Sequence, residues 1–301
     1  MLKNILLTGA SGFLGSEIFK ILSQEFKVTC LGRNNSDVNI NLEFNIPFFQ
    51  TSFFMVVHCL GKAHGIPKNY DDIAEFHNVN VIGTVNLLKG LENACIPDYF
   101  VYISSVSVYG LSEGYNVDEN ACLIAEDPYG KSKIESEKLI QDWCLIHNVR
   151  LTIFRLPLVI GNNPKGNLYN LIKGVKSGFY FNIAGGKARK SMVLANDVAK
   201  FVFKAAEVGG IYNLTDGYHP SILELSENIA NQLGCLKPIQ IPYWLAKVLA
   251  FFGDSLGAIS PFNGEKLVKL TSNLIFDDSK ARKAFGWKPN SVLGGFILSN
   301  K

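Results

Sequence analysis

A chain of 301 residues with 48% hydrophobic and 18% charged residues can hold one large core or two domains sharing a cleft, which excludes a disordered chain. The formal net charge of +3 is too mild, and the basic residues too dispersed, for a nucleic-acid partner, while an anionic small molecule stays compatible. Six cysteines form no CxxC pair and no zinc-spaced Cys/His cluster, so free thiols in a reducing cytoplasm are expected, with no metal.

Asn4–Thr8 reads as a buried strand running into a glycine-rich turn, not as a signal peptide. A helix follows to about Leu22, then a strand at Lys27–Leu31. Ser36–Thr51 is Asn-rich and offers no amphipathic helix, so an abbreviated crossover is expected. Next come a strand at Phe53–Cys59, a helix over Asn78–Asn93, a strand at Tyr99–Ser104, a helix over Tyr129–His147 and a strand at Arg150–Phe154. This alternation predicts a parallel sheet with helices on both faces, binding ligands beyond the carboxyl ends of its strands. The run Gly161–Pro164 marks a loop, Ile211–Leu214 a late sheet strand, and Ser221–Leu233 a helix opened by a Ser221/Glu224 capping box. Tyr243–Phe252 is too short to span a bilayer. It could lie on a membrane surface; a helix packed on its own core is the preferred reading.

Thr8–Gly15 reads TGASGFLG between that first strand and helix. Gly9 allows the tight turn, Gly12 a close backbone approach to a pyrophosphate, and Gly15 close packing of helix on strand. The helix N-terminus offers unpaired N–H groups to phosphate. Gly9, Ser11, Gly12, Phe13, Leu14 and Gly15 are therefore expected to bind a dinucleotide; the alternative is a plain βα turn. The second strand ends Leu31–Gly32–Arg33–Asn34, without the acid that would bind ribose hydroxyls. Arg33 suits a 2′-phosphate, so NADP is expected over NAD, unless Arg33 is an ordinary surface arginine.

Tyr129 and Lys133 share a helix face at i and i+4. A free tyrosine, with a pKa of about 10, is a poor proton donor at neutral pH, and a nearby cation favours its phenolate. TGASGFLG, NVNVIGTVNLL (Asn78–Leu88), ISSVSVYG (Ile103–Gly110), PYGKSK and FDDSKARKAFGWKP together resemble the extended short-chain dehydrogenase/reductases, nearest the nucleotide-sugar epimerase/dehydratase/reductase branch. The resemblance runs from Ile5 to Pro289. It implies an α/β fold, a Rossmann-like doubly wound parallel sheet with a smaller C-terminal substrate-binding domain. Residues 1–160 and 191–217 would form the NADP-binding domain, and 161–190 with 218–301 the cap. It implies Ser105, Tyr129 and Lys133 as catalytic residues and Lys133 as a ligand of the nicotinamide ribose. Ser104 becomes a structural or cofactor neighbour, Asn80 a support of the active-site strand and cofactor, and Leu60 and Gly61 cofactor contacts. It places Asn167 and Leu168 against the nucleotide and Lys190, with Arg189 beside it, against the pyrophosphate. Two solvated basic residues are the alternative for that pair. His64 could face the sugar, though a lone histidine is more often structural.

Family 4,6-dehydratases carry two carboxylates where this chain has Val106 and Ser107, so dehydration loses its proton donors. What remains is hydride transfer at one carbon with a proton through Tyr129. The preferred expectation is NADPH-dependent reduction of the 4-keto group of a UDP-linked 6-deoxy sugar, for surface polysaccharide synthesis. An NAD-dependent UDP-sugar 4-epimerase is the runner-up. A non-catalytic NADP-binding regulator is the alternative from another class, and retention of Tyr129 and Lys133 argues against it. The expected setting is cytoplasmic, without a membrane span, and compatible with a homodimer.

Overall fold

The computed structural model describes residues 2–63, 69–162, 164, 166–255 and 263–298. The first half runs β1 (Asn4–Thr8), α1 (Phe13–Leu22), β2 (Lys27–Gly32), β3 (Val38–Asn39), β4 (Met55–His58), α2 (Tyr70–His77), α3 (Gly83–Glu92), β5 (Tyr99–Ser105), β6 (Gly114–Val117) and α4 (Pro128–Ile146). The second runs β7 (Arg150–Leu156), β8 (Leu158–Ile160), α5 (Gly166–Lys176), β9 (Phe181–Ile183), β10 (Met192–Leu194), α6 (Ala195–Val208), β11 (Gly210–Asn213), α7 (Ile222–Leu233), β12 (Ile239–Ile241), α8 (Tyr243–Ser255), α9 (Gly264–Thr271), β13 (Leu274–Phe276), α10 (Ser279–Phe285) and α11 (Val292–Gly295).

Seven strands form one parallel sheet in the order β11-β7-β5-β4-β1-β2-β3. The apolar run of β1 is buried on both faces, as a central parallel strand requires. Ile5 and Leu7 pack on one side with Ile18, Val198 and Val202 of α1 and α6. Leu6 points to the other, among Leu87 of α3 and Ile140 and Trp143 of α4. Between β3 and β4 the chain forms no helix, as expected; Leu42, Pro47 and Phe49 are buried along that stretch instead. The helix expected over Asn78–Asn93 starts earlier, at Tyr70, where the Asn69 side chain accepts from the Asp72 N–H. A π-helical turn, Asn78–Ile82, separates it from α3.

A further cluster joins α5, α7 and α11 through Leu168, Leu171, Leu225, Ile229 and Val292. One segment crosses the sequence-based partition. Ala281, Phe285 and Trp287, expected in the cap, are buried in the core of the main sheet with Phe154 and Tyr212. The Trp287 indole N–H donates to the Thr215 carbonyl at 3.0 Å, which fixes that crossing.

Strand order reverses between β1 and β4, and a crevice opens beyond the carboxyl ends there. Thr8 is in register with Leu31 and His58, and His58 with Tyr102. β5 continues three residues past that row, to Ser105, which carries Ser105 about 10 Å beyond the floor of the crevice at about 3.3 Å per residue.

Candidate active site

The turn after β1 has the shape its glycines predicted. Gly9 has φ +73°, and a Cβ there would sit 2.9 Å from the Leu60 nitrogen. A Cβ on Gly15 would come within 2.1 Å of the Gly9 carbonyl oxygen, which already accepts from the Gly12 N–H at 2.9 Å. The backbone is thus drawn tight under α1, leaving a bare cradle that suits a pyrophosphate. Gly9, Ser11, Gly12, Arg33, Leu60 and Gly61 line one cleft of about 310 Å³. Three residues of the expected cofactor set face elsewhere. Leu14 packs its side chain against the sheet core, Gly15 is buried beneath Gly9, and Phe13 lies against Gly161.

At the end of β2, a Cβ on Gly32 would sit 2.6 Å from Ser36 Oγ, so an acid there would have to displace Ser36. Arg33 is exposed on the cleft wall. Sequence reasoning missed three neighbours. Glu43 and Asn41 line the same cleft, so an acid does reach it, from the crossover and not from β2. Lys62, ion-paired with Glu75, lines it as well. A cation and an acid bracketing a strand junction is the signal that could have found the last pair.

Beneath the cleft runs a directional line of hydrogen bonds. The Leu60 N–H donates to Thr8 Oγ1 at 3.2 Å, and Thr8 Oγ1 lies 2.7 Å from His58 Nδ1. His58 Nε2 lies 3.0 Å from Thr84 Oγ1, whose proton goes to the Asn80 carbonyl at 2.6 Å. Since Thr84 has given up its only proton, His58 must donate from Nε2 and accept at Nδ1. Burial, with Lys133 adding to it, lowers the His58 pKa to about 3, so the ring is neutral. In the unfolded chain it titrates near 6.5. Between those values the unfolded state binds the extra proton, so stability falls as pH drops below about 6.5. From pH 6.5 to pH 5 this group alone should cost about 2 kcal/mol. Urea unfolding at the two pH values, for this chain and for His58→Gln, measures it; an equal pH slope in both would show that His58 does not contribute.

Asn80 sits in the π-helical turn, a distortion frequent at functional sites. Its Oδ1 accepts from the Lys62 N–H at 2.7 Å, and its Nδ2 donates to the Lys62 carbonyl and to Ser132 Oγ. It therefore ties the cleft wall to the helix bearing Tyr129 and Lys133.

That helix, α4, is capped by Asp127, which accepts from the Gly130 N–H at 3.0 Å, with Pro128 in the first turn. A Cβ on Gly130 would meet the Ser107 carbonyl at 2.9 Å. This close seat brings the Tyr129 turn against the short 3-10 turn Val106–Tyr109 that follows Ser105. Ser105 Oγ donates to Ser107 Oγ and accepts from the Ser107 N–H, both at 3.1 Å. Lys133 is buried, and its Nζ donates to Tyr102 Oη at 3.1 Å and the Ile103 carbonyl at 2.9 Å. Burial lowers its pKa, and the neighbouring Tyr129 opposes that shift. A Cβ on Gly61 would stand 3.1 Å from Lys133 Nζ, so the cleft wall rests directly on the ammonium. Ser104 is buried and tied into a charged network. Its hydroxyl donates to Glu137 Oε1 at 2.5 Å, and Glu137 holds Arg155 through Nε and Nη2. Arg155 Nη1 in turn donates to Tyr109 Oη, which donates to Asn213.

The expected substrate residues divide. Asn167 is exposed on α5, but the Leu168 side chain is 1% exposed in the cluster that joins α5, α7 and α11, so only its backbone is available to a nucleotide. Arg189 is committed to the His219 carbonyl at 3.0 Å and to Glu224 at 3.7 Å. Lys190 is half-buried, its pKa lowered by burial, and its ammonium has no carboxylate partner among the described residues. Of the two, Lys190 is the cation open to a phosphate. His64 lies outside the described residues. No group of side chains suited to a metal occurs among the described residues, and no helix there is long and apolar enough to cross a membrane.

A model of the NAD dependent epimerase/dehydratase family matches residues 5–215. The UDP-glucose 4-epimerase of Vibrio cholerae is 27% identical, with 97% of this chain and 93% of that protein covered. The N-acetyl-alpha-D-glucosaminyl-diphospho-ditrans,octacis-undecaprenol 4-epimerase of Escherichia coli O157:H7 is 26% identical over 93% of this chain and 89% of its own. Among solved structures, RMD from Pseudomonas aeruginosa, complexed with NADPH, superposes with a TM-score of 0.71 at 21% identity, covering 97% of this chain and 95% of that one.

Proposed function

Because the chain belongs to the NAD dependent epimerase/dehydratase family, we propose that it is an NADPH-dependent reductase of the 4-keto group of a UDP-linked 6-deoxy sugar, serving surface polysaccharide synthesis. Its relatives are nucleotide-sugar epimerases, dehydratases and reductases, so it is an enzyme of the NAD(P)-dependent oxidoreductase kind, not a non-catalytic regulator. The observation that carries the finer reading is the end of β2, where Ser36 fills the place of an acid and Arg33 flanks the cleft. Val106 and Ser107 supply no carboxylates for eliminating water, so the keto sugar would be made by another enzyme.

A nicotinamide dinucleotide bound in the cleft would supply the hydride. The chain's own groups do the rest. The Ser105 hydroxyl orients the carbonyl oxygen, and Tyr129 gives it a proton as negative charge grows there. Lys133, held from below by Tyr102 and Ile103, steadies Tyr129. Lys190 binds the diphosphate as a point charge, without the paired bonds of an arginine.

The second reading is a 4-epimerase using NAD. Glu43 favours it, as a cleft acid able to accept from ribose hydroxyls, and so does the likeness to two 4-epimerases. Supplying UDP-N-acetylglucosamine, a 4,6-dehydratase and NADPH separates the two. Stoichiometric NADPH consumption with a new 6-deoxy product supports the reductase. Interconversion of UDP-glucose and UDP-galactose without net NADPH loss supports the epimerase.

Cofactor choice has its own test. A charge-assisted contact of Arg33 with a 2′-phosphate is worth about 1.5–3 kcal/mol. Arg33→Ala should therefore weaken NADPH by about 10- to 100-fold and leave NADH nearly unchanged. Glu43→Ala should weaken NADH more than NADPH. Calorimetric titration of both variants with both cofactors reads this, and equal affinities of the unsubstituted protein for NADPH and NADH would refute the NADP preference.

A further inference from the structure

The floor of the cleft carries a buried charge, and its surroundings leave that charge standing. Lys133 is 5% exposed, and the titratable groups that face it from other elements are neutral. At the end of β4 the His58 ring is neutral, and burial pushes the Cys59 thiol up to about 12 against the opposing effect of Lys133. On β5, burial pushes the Tyr102 phenol up as well. On α4 itself the neighbours are Tyr129 and Glu137. The Glu137 carboxylate is taken by Arg155 and Ser104, so it is not free to pair with Lys133. The ammonium meets neutral acceptors instead. They are Tyr102 Oη at 3.1 Å and the Ile103 carbonyl at 2.9 Å, with the Tyr102 ring centroid 4.6 Å from Nζ.

We propose that Tyr102 is a positioning residue of the active site, whose hydroxyl holds the Lys133 ammonium at the cleft floor as an uncancelled charge. The inference deepens the proposed reaction, in which Lys133 steadies Tyr129, and rests on that reading. Tyr102 is itself fixed. It is 1% exposed, and its ring stacks on His58 with centroids 5.6 Å apart and planes at 26°. Ser136 lies beside its hydroxyl. The Ser136 proton goes to the carbonyls of Asn80 at 2.9 Å and Ser132 at 2.8 Å, so Ser136 faces Tyr102 as an acceptor. Tyr102 turns its proton that way and offers a lone pair to Lys133. The hydroxyl thus solvates the ammonium without bringing a negative charge. A carboxylate at that point would cancel much of the field Lys133 exerts on the cleft. An ammonium has three protons, and Tyr102 and Ile103 take two of them. Gly61 lines the cleft, and a Cβ there would stand 3.1 Å from Nζ, so the bare backbone leaves the ammonium uncovered by a side chain on that side.

The test is the titration of Lys133, read by NMR on the full chain with its lysines isotopically labelled at Cε. The Lys133 signal is assigned by its loss in Lys133→Met. Burial already lowers the Lys133 pKa. Tyr102→Phe keeps the ring and removes an acceptor that favours the charged form. The midpoint should therefore fall further, by about one to two pH units, the worth of one hydrogen bond to a charged group. The alkaline limb of turnover should move down by the same amount, with the KM of the keto sugar unchanged. Ser136→Ala should move the midpoint the same way by less, and it carries the test if Tyr102→Phe does not fold. An unchanged midpoint in whichever variant folds overturns the proposal, since a tyrosine that only fills space is replaced without effect on Lys133. A midpoint that falls while the turnover profile stays in place overturns it too. The titration needs no substrate, so its outcome is separate from that of the reaction. No NADPH consumption with the keto sugar would count against the reductase reading alone, and the pH profile would then be taken on the interconversion of UDP-sugars.

Discussion

Tyr129→Phe is expected to lower turnover by about 10²-fold or more, the scale of a lost general acid, while cofactor affinity and thermal stability stay close to those of the unsubstituted protein. The two halves of that expectation have separate grounds. The Tyr129 hydroxyl has no hydrogen-bond partner among the described residues, so removing it orphans no buried group. The ring stays in place against Phe76, 6.1 Å between centroids, and the helix is still anchored by Asp127 and by Ser132 on Asn80. What disappears is the proton that the proposed mechanism delivers to the carbonyl oxygen. Steady-state turnover, calorimetric cofactor titration and a thermal melt on one preparation suffice. Near-normal turnover would move the proton donor elsewhere, and a large drop in melting temperature would make Tyr129 a structural residue first.

Glu137→Ala should be the most destabilising single change in the region, by about 3–5 kcal/mol. Glu137 and Arg155 are a buried pair, with Arg155 Nη2 2.8 Å from Glu137 Oε2. Each cancels the desolvation cost of the other. Removing the carboxylate leaves a guanidinium in the core with Tyr109 Oη and the Glu119 carbonyl as its hydrogen-bond partners among the described residues, and takes the acceptor of the Ser104 hydroxyl. Replacing both by Met should be milder than either single change, because an apolar pair leaves no orphaned charge. Urea midpoints at constant m-value measure this. If the double variant proves as unstable as Glu137→Ala, packing and not charge is what this pair provides.

The order of strands and helices was legible because buried parallel strands are short apolar runs and their helices carry a 3.6-residue period. Gly9, Gly12, Tyr129 and Lys133 were legible because each must be that residue at that spacing. Glu43 was not, since the crossover holding it has neither period, and only tertiary folding carries it to the cleft that Gly9 lines. The early start of α2 left a signal that was passed over: Asn69 before two acidic residues, Asp71 and Asp72, is an N-cap followed by an acidic first turn. Leu168 was matched by motif position, which places a backbone and says nothing of where a leucine side chain prefers to be. For α8 the sequence predicted a helix packed on its own core. Ala246 and Ala250 do pack with Leu267, Ile183 and Ile241, and what the sequence left open is that the large apolar side chains of α8 face outward.

The burial of Ala281, Phe285 and Trp287 with Tyr212 and Phe154 also sets the order in which the protein can be made. Trp287 leaves the ribosome 75 residues after Tyr212, a gap of about 4–15 s at bacterial and eukaryotic elongation rates of about 5–20 residues per second. Throughout that interval the strands of the main sheet can already be synthesised and paired, yet the apolar groove awaiting α10 stays open. The nascent chain therefore presents an aromatic-lined gap for seconds, a timescale on which chaperones bind, and closes it only once α10 and Trp287 have emerged.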